Sequence, residues 1–83
     1  MFRVDWEPAA SDQFAAISVA NPGRWKDIND ADNDITRKLQ RDPLTYGQTV
    51  SEGLWRITSD PLVVYFSIQD DQVVVVEAVG WIG

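Results

Sequence analysis

The 83-residue chain contains no cysteine and no histidine. Their absence excludes disulfide staples, thiol nucleophiles, zinc sites built from sulfur or imidazole, and the imidazole general base on which much transfer chemistry depends. Positive charge is also scarce. Seven Lys and Arg stand against thirteen Asp and Glu, a formal net charge of −6. That balance repels a polyanion at long range, and no cluster of bases is large enough to reverse it over a broad face. Nucleic acid is therefore not expected as a partner, and nothing in the residue set calls for a metal or another cofactor. No apolar run is long enough for a membrane span. Residues 1–20 hold Asp5, Glu7 and Asp12 with no apolar core behind a basic start, so no secretory or transit signal is legible and a cytoplasmic location is expected.

What is present is apolar and aromatic: 45% hydrophobic residues, four of them Trp, with 24% charged. This is the composition of one small globular domain over residues 1–83, not of a disordered chain. A domain this short buries only about 60 to 65% of the surface that its unfolded chain exposes, so its stability is marginal. Phe2-Arg3-Val4-Asp5-Trp6 alternates with period two, placing Phe2, Val4 and Trp6 on one face of a short strand. Pro8 suits the first position of a helix, where its missing N–H has no intrahelical partner. Ala10, Phe14 and Ile17 then follow at helical spacing, and Asn21-Pro22-Gly23 ends the segment.

A second helix is predicted from about Pro22 or Arg24 to Arg41, with Trp25, Ile28, Ala31, Ile35 and Leu39 as its apolar stripe. Asp27, Asp30, Asp32 and Asp34 precede Arg37, Lys38 and Arg41, which sets acids toward the positive helix end and bases toward the negative one. Asp42-Pro43 stops the helix, and the two helices read as an antiparallel hairpin. Leu44 to Glu52 reads as a polar loop. Three strands follow, Leu54 to Thr58, Leu62 to Ile68 and Val73 to Val79, separated by turns at Ser59-Asp60-Pro61 and around Asp70-Asp71. Val73 to Val76 is apolar on both faces, as in a strand covered on both sides. Two helices cover only one face of a sheet. The other face either leaves an apolar patch for a protein partner, a second copy included, or curls enough to bury itself.

The order strand, helix, helix, strand, strand, strand defines a narrow class of α+β domain. Within it, RVDWEPAASDQFAAI, RKLQRDPLTYG, GLWRI and VVYFSIQDDQVVVVEAVGW together resemble the RelE/ParE family of toxins from type II toxin-antitoxin modules. The likeness covers nearly the whole chain. It implies a helical hairpin packed on a twisted, mainly antiparallel four-stranded sheet, with a cognate antitoxin wrapping the outside. It also implies one of two activities. RelE-like members cleave messenger RNA on the ribosome without metal, gripping phosphate with basic residues; ParE-like members bind DNA gyrase.

In the RelE-like pattern Arg56 matches the arginine of the first meander strand. The next strand begins Leu62-Val63 where an arginine is frequent, the tail Trp81-Ile82-Gly83 supplies no base or phenol, and residues 45–52 contain no lysine. Each lost donor at a phosphoryl transition state costs about 100 to 1,000-fold in rate. A degenerate nuclease acting through protein binding is the first expectation. An active messenger RNA endoribonuclease using Arg56, Arg41 and Tyr65 is the second, and a non-toxic, structural or self-associating module the third. The chain's acidity calls for a partner rich in apolar anchors and neutral or basic, unlike the acidic segments that cover basic toxins.

The partner-binding candidates are Arg56, Lys38, Arg41, Tyr46, Trp81 and Ile82. Each also has a plainer assignment. Arg56, sharing a face with Leu54 and Thr58, is expected to lie over neighbouring aromatic rings and pair with an acid such as Glu77. Tyr65 is expected as a core aromatic. Arg37, Lys38 and Arg41 are expected as a solvated helix end. The four acids of the second helix lack the glycine and terminal glutamate of a calcium loop and are expected as a solvated face. Trp81 and Ile82 either meet a partner or cover the chain's own sheet.

Overall fold

In the computed structural model, which describes residues 1–83, the chain runs β1 (Arg3–Trp6), α1 (Pro8–Ala20), a 3-10 turn (Pro22–Arg24), α2 (Trp25–Arg41), α3 (Pro43–Tyr46), β2 (Gln48–Ser51), β3 (Leu54–Ser59), β4 (Leu62–Gln69) and β5 (Val73–Trp81). The helical hairpin packs on one mixed sheet of order β1-β5-β4-β3-β2, in which only the β1–β5 pair is parallel. The sheet thus has five strands and not four. The extra strand and α3 occupy the segment that reads as a polar loop. Gln48-Thr49-Val50-Ser51 is exposed throughout and has no apolar alternation; pairing with β3 makes it a strand. Pro43, legible as a stop, also starts a new turn: the Asp42 carboxylate accepts from the Thr45 hydroxyl at 2.6 Å.

The core lies between helices and sheet. Ile28, Ala31, Ile35 and Leu39 are all at most 2% exposed, at the spacing that puts them on one stripe of α2. Facing them are Ile57 of β3, Leu62, Val64 and Phe66 of β4, and Val74, Val76 and Val79 of β5. Trp25, expected to begin the stripe, instead stands 56% exposed at the first turn, its indole N–H donating to the Ser18 carbonyl at 2.7 Å. That bond locks the start of α2 to the end of α1.

A one-residue irregularity shapes β5. Phe66 pairs with Val76 but Tyr65 with Ala78, so Glu77 is the extra residue of a β-bulge. The bulge turns Val79 and Trp81, rather than Ala78 and Gly80, to the helix side. It also lets α1 replace β1 as the neighbour of β5: beyond the Glu7 N–H to Val76 carbonyl bond, the Gln13 side-chain oxygen accepts from the Val79 N–H at 2.8 Å. One sheet edge is thereby satisfied by a helix side chain.

The β4–β5 hairpin turns through Asp70 and Asp71, both left-handed at φ of 53° and 57°, with the Gln72 N–H closing the turn on the Gln69 carbonyl at 3.1 Å. Aspartate tolerates this backbone and glycine prefers it. Asp71→Gly is expected to raise stability by about 0.5 to 1 kcal/mol, measured by urea denaturation; an unchanged or lower midpoint would contradict the assignment.

Candidate functional site

The face of the sheet away from the helices is open. Its side chains, read from register, are Gln48 of β2, Leu54, Arg56 and Thr58 of β3, Val63, Tyr65 and Ser67 of β4, and Val73, Val75 and Ala78 of β5, with Arg3 and Asp5 at the β1 edge. Although no helix covers it, Val63 and Val75 are buried. Gly80 opposite Val63 explains part of this. A Cβ there would meet Val63 Cγ1 at 3.0 Å, so the valine leans into the space that glycine leaves. The curled sheet therefore buries its central valines by itself.

Arg56 sits directly opposite Tyr65 on this face, with Gln48 on its other side accepting a long 3.4 Å hydrogen bond from its Nε. Its expected ion pair with Glu77 is absent, and its guanidinium is not seated over an aromatic ring. The bulge is the reason: Ala78 rather than Glu77 stands opposite Tyr65. The only other cation in register here, Arg3, is at the far edge and tied to Asp5 at 3.0 Å. Tyr65 is half-buried and lies on the open face, not in the core between sheet and helices. Arg41, the third residue of the nuclease expectation, ends α2 on the opposite side of the sheet. The fold brings Arg56 and Tyr65 together and leaves Arg41 out. Gln48, the closest polar neighbour of Arg56, carries no sequence signal because its strand has no pattern.

The basic end of α2 is more engaged than its sequence suggests. Asp34 accepts from Arg37 at 2.7 Å and from Lys38 at 3.0 Å, and the Lys38 ammonium lies 5.4 Å from the Tyr46 ring centroid, a cation–π contact. Asp27 holds Arg24 and Asp30 holds Lys26, each at 2.8 Å. Five of the seven bases are thus paired with acids, and Arg41 and Arg56 are the exceptions.

The Lys38 hydrogen bond holds the Asp34 carboxyl below the usual carboxylate range; partial burial opposes this, and Ser59 and the charges of Lys38 and Arg37 reinforce it. An acid with a depressed folded pKa contributes stability that is present above its unfolded value and lost as pH falls through the folded one. Asp34→Asn is accordingly expected to cost about 0.5 to 1 kcal/mol at neutral pH, given its solvent-facing partners. The difference should begin to shrink as pH falls below the ordinary carboxylate range and vanish only once Asp34 is protonated in the folded state. Urea melts across pH check this, and a gap constant with pH would refute it.

Trp81 does not cover the open face. It pairs with Leu62 and lies on the helix side, its ring 5.3 Å from the Arg24 guanidinium, while Ile82 donates its N–H to the Pro61 carbonyl. The Arg24 contact sets the end of β5 beside the α1–α2 turn, and Trp25, Trp81 and Ile82 are 56%, 36% and 50% exposed. Arg24 was not legible as part of this surface.

No helix is long and apolar enough to cross a membrane. No protein-family model and no curated protein sequence matches the chain. Solved structures do. A chain of the chromosomal ParDE toxin-antitoxin system from P. aeruginosa superposes with a TM-score of 0.80 at 14% identity, covering 100% of this chain and 98% of that one. The toxin-antitoxin complex RelBE2 from Mycobacterium tuberculosis gives 0.67 at 17% identity, covering 96% of each chain. A conserved hypothetical protein from Helicobacter pylori gives 0.57 at 13%, covering 98% and 94%. The chain therefore has the RelE/ParE toxin fold.

Proposed function

We propose that this chain is the toxin-fold member of a type II toxin-antitoxin pair, acts by binding proteins, and has a degenerate nuclease site. The observation that carries the reading is Arg56 standing on the open sheet face with no second free cation in register beside it. Phosphoryl-transfer transition states need several prepositioned charges, so one arginine and one tyrosine supply little rate. Trp25, Trp81 and Ile82 offer a partner the aromatic and aliphatic contacts that protein interfaces favour. The partner is an antitoxin or antitoxin-like chain, and a gyrase-type target fits the same mode of action.

The adjacency of Arg56 and Tyr65 favours one alternative, ribosome-dependent cleavage of messenger RNA. Expression in a bacterial host without a neighbouring antitoxin separates the readings. Growth arrest with intact messenger RNA is expected. Arrest with cleaved messenger RNA would overturn the proposal in favour of a nuclease, and unimpeded growth would favour a non-toxic structural module. The exposed Arg56 makes a clean probe: Arg56→Ala is expected to fold with stability within about 0.5 kcal/mol of the parent. Arrest lost in that folded variant would assign Arg56 to the surface that meets the target.

A further inference from the structure

The groove between α1 and α2 holds a carboxylate without a cation. Of the four acids along α2, Asp27 and Asp30 each hold one cation and Asp34 holds two, at 2.7–3.0 Å, and Asp32 holds none. Asp32 is half-buried on the flank of α2 that faces α1. With Thr36 one turn onward it lines an open cavity of about 260 Å³, completed by Trp6 at the end of β1 and by Ser11 and Phe14 of α1. Trp6 and Phe14 meet edge to face, with centroids 5.7 Å apart and planes at 77°.

These groups form a coherent recognition set. A carboxylate supplies the counter-charge, the tryptophan and phenylalanine rings supply the negative π-surfaces that attract a cation, and two hydroxyls can accept its remaining N–H groups. Burial already pushes the Asp32 carboxyl up, which reports an ion held without compensation. The chain's net charge of −6 adds long-range attraction of the same sign. We propose that this groove receives one arginine side chain of a protein partner. The planar guanidinium, with five donors and a face that stacks on aromatics, matches this mixture of carboxylate, ring and hydroxyl better than a compact ammonium. The proposal rests on the reading of the chain as a partner-binding protein. It narrows that partner to one presenting an arginine to the helical hairpin.

The probe is N-acetyl-arginine methylamide, titrated into the 15N-labelled protein and followed by NMR, with the neutral near-isostere N-acetyl-citrulline methylamide in parallel. Saturable shifts are expected at the Trp6 indole N–H and at the Phe14 and Thr36 amides, with arginine binding about tenfold tighter than citrulline, as one desolvated charge contact implies. Asp32→Asn should abolish that preference, and Glu52→Gln, in the remote β2–β3 turn, should keep it. Equal binding of the two probes, arginine preference retained in Asp32→Asn, or shifts spread evenly over the acidic surface would each overturn the proposal. Since growth arrest does not enter this measurement, a negative result leaves the toxin-fold reading standing.

Discussion

Replacing Phe66 with alanine is expected to lower the stability of this domain by about 3 to 5 kcal/mol, the range for truncating a fully buried aromatic side chain. Phe66 is fully buried at the centre of β4, in the cluster that joins α2 to the sheet. Its ring stacks on Trp55 with centroids 6.1 Å apart and planes at 23°, and its far edge touches Gly47. Truncation removes the transfer energy of the ring and leaves a cavity. Neither Gly47 nor the strand backbone can move in to fill it. A domain of this length has a total stability of only about 4 to 12 kcal/mol. Phe66→Ala should therefore be partly unfolded at 37 °C, with a urea midpoint reduced by a third or more. A loss under about 1.5 kcal/mol would show that the ring is not the centre of the core.

The parts of this fold legible in the sequence are those in which periodicity and punctuation agree. The α2 stripe of Ile28, Ala31, Ile35 and Leu39 repeats at three and four residues, and all four are core. The meander is legible because Asp60-Pro61 and Asp70-Asp71 separate apolar runs of strand length. Gln48 to Ser51 has neither signal. Exposed on both faces at the edge of the sheet, it satisfies only its β3-facing backbone groups, so its side chains are free of any pattern. The spacing that places Ile28 in the core misplaces Trp25. A helix stripe predicts which face points inward, but at the first turn the inward direction is decided by how α1 and α2 are joined.

The candidate site shows where alternation stops being enough. Strict period two along VVVVEAVGW puts Ala78 and Gly80 on the same face as Val74 and Val76; the bulge at Glu77 puts Val79 and Trp81 there instead. That single extra residue separates Glu77 from the register in which it would oppose Tyr65 beside Arg56. It also sends Trp81 to Arg24. The count of bases, by contrast, does not depend on register. The absence of a partner for Asp32 was not legible at all. Its three neighbours in the acidic row look identical in sequence, and only the packing of α1 against α2 distinguishes the one that faces Trp6 and Phe14.

Gly47→Ala is the second substitution with a large expected effect, because here one added methyl group has nowhere to go. A Cβ at position 47 would stand 2.7 Å from the Phe66 Cζ and 2.8 Å from the Pro43 carbonyl oxygen, both far inside contact distance. The backbone at Gly47 is ordinary extended chain at φ −83°, so the requirement for glycine is steric and not conformational. The Gly47 N–H also donates to that same Pro43 carbonyl at 2.8 Å. Moving the oxygen away from the methyl would break the bond that closes α3. Overpacking of this kind costs about 1 to 3 kcal/mol. The cost should couple to Phe66, because leucine at position 66 withdraws the ring edge. In a Phe66→Leu background Gly47→Ala is expected to cost about 1 kcal/mol less than in the parent, a coupling typical of residues in direct contact. A double-mutant cycle by urea denaturation measures it. Strict additivity would assign the whole clash to the Pro43 carbonyl and would mean that the Phe66 ring can swing clear of position 47.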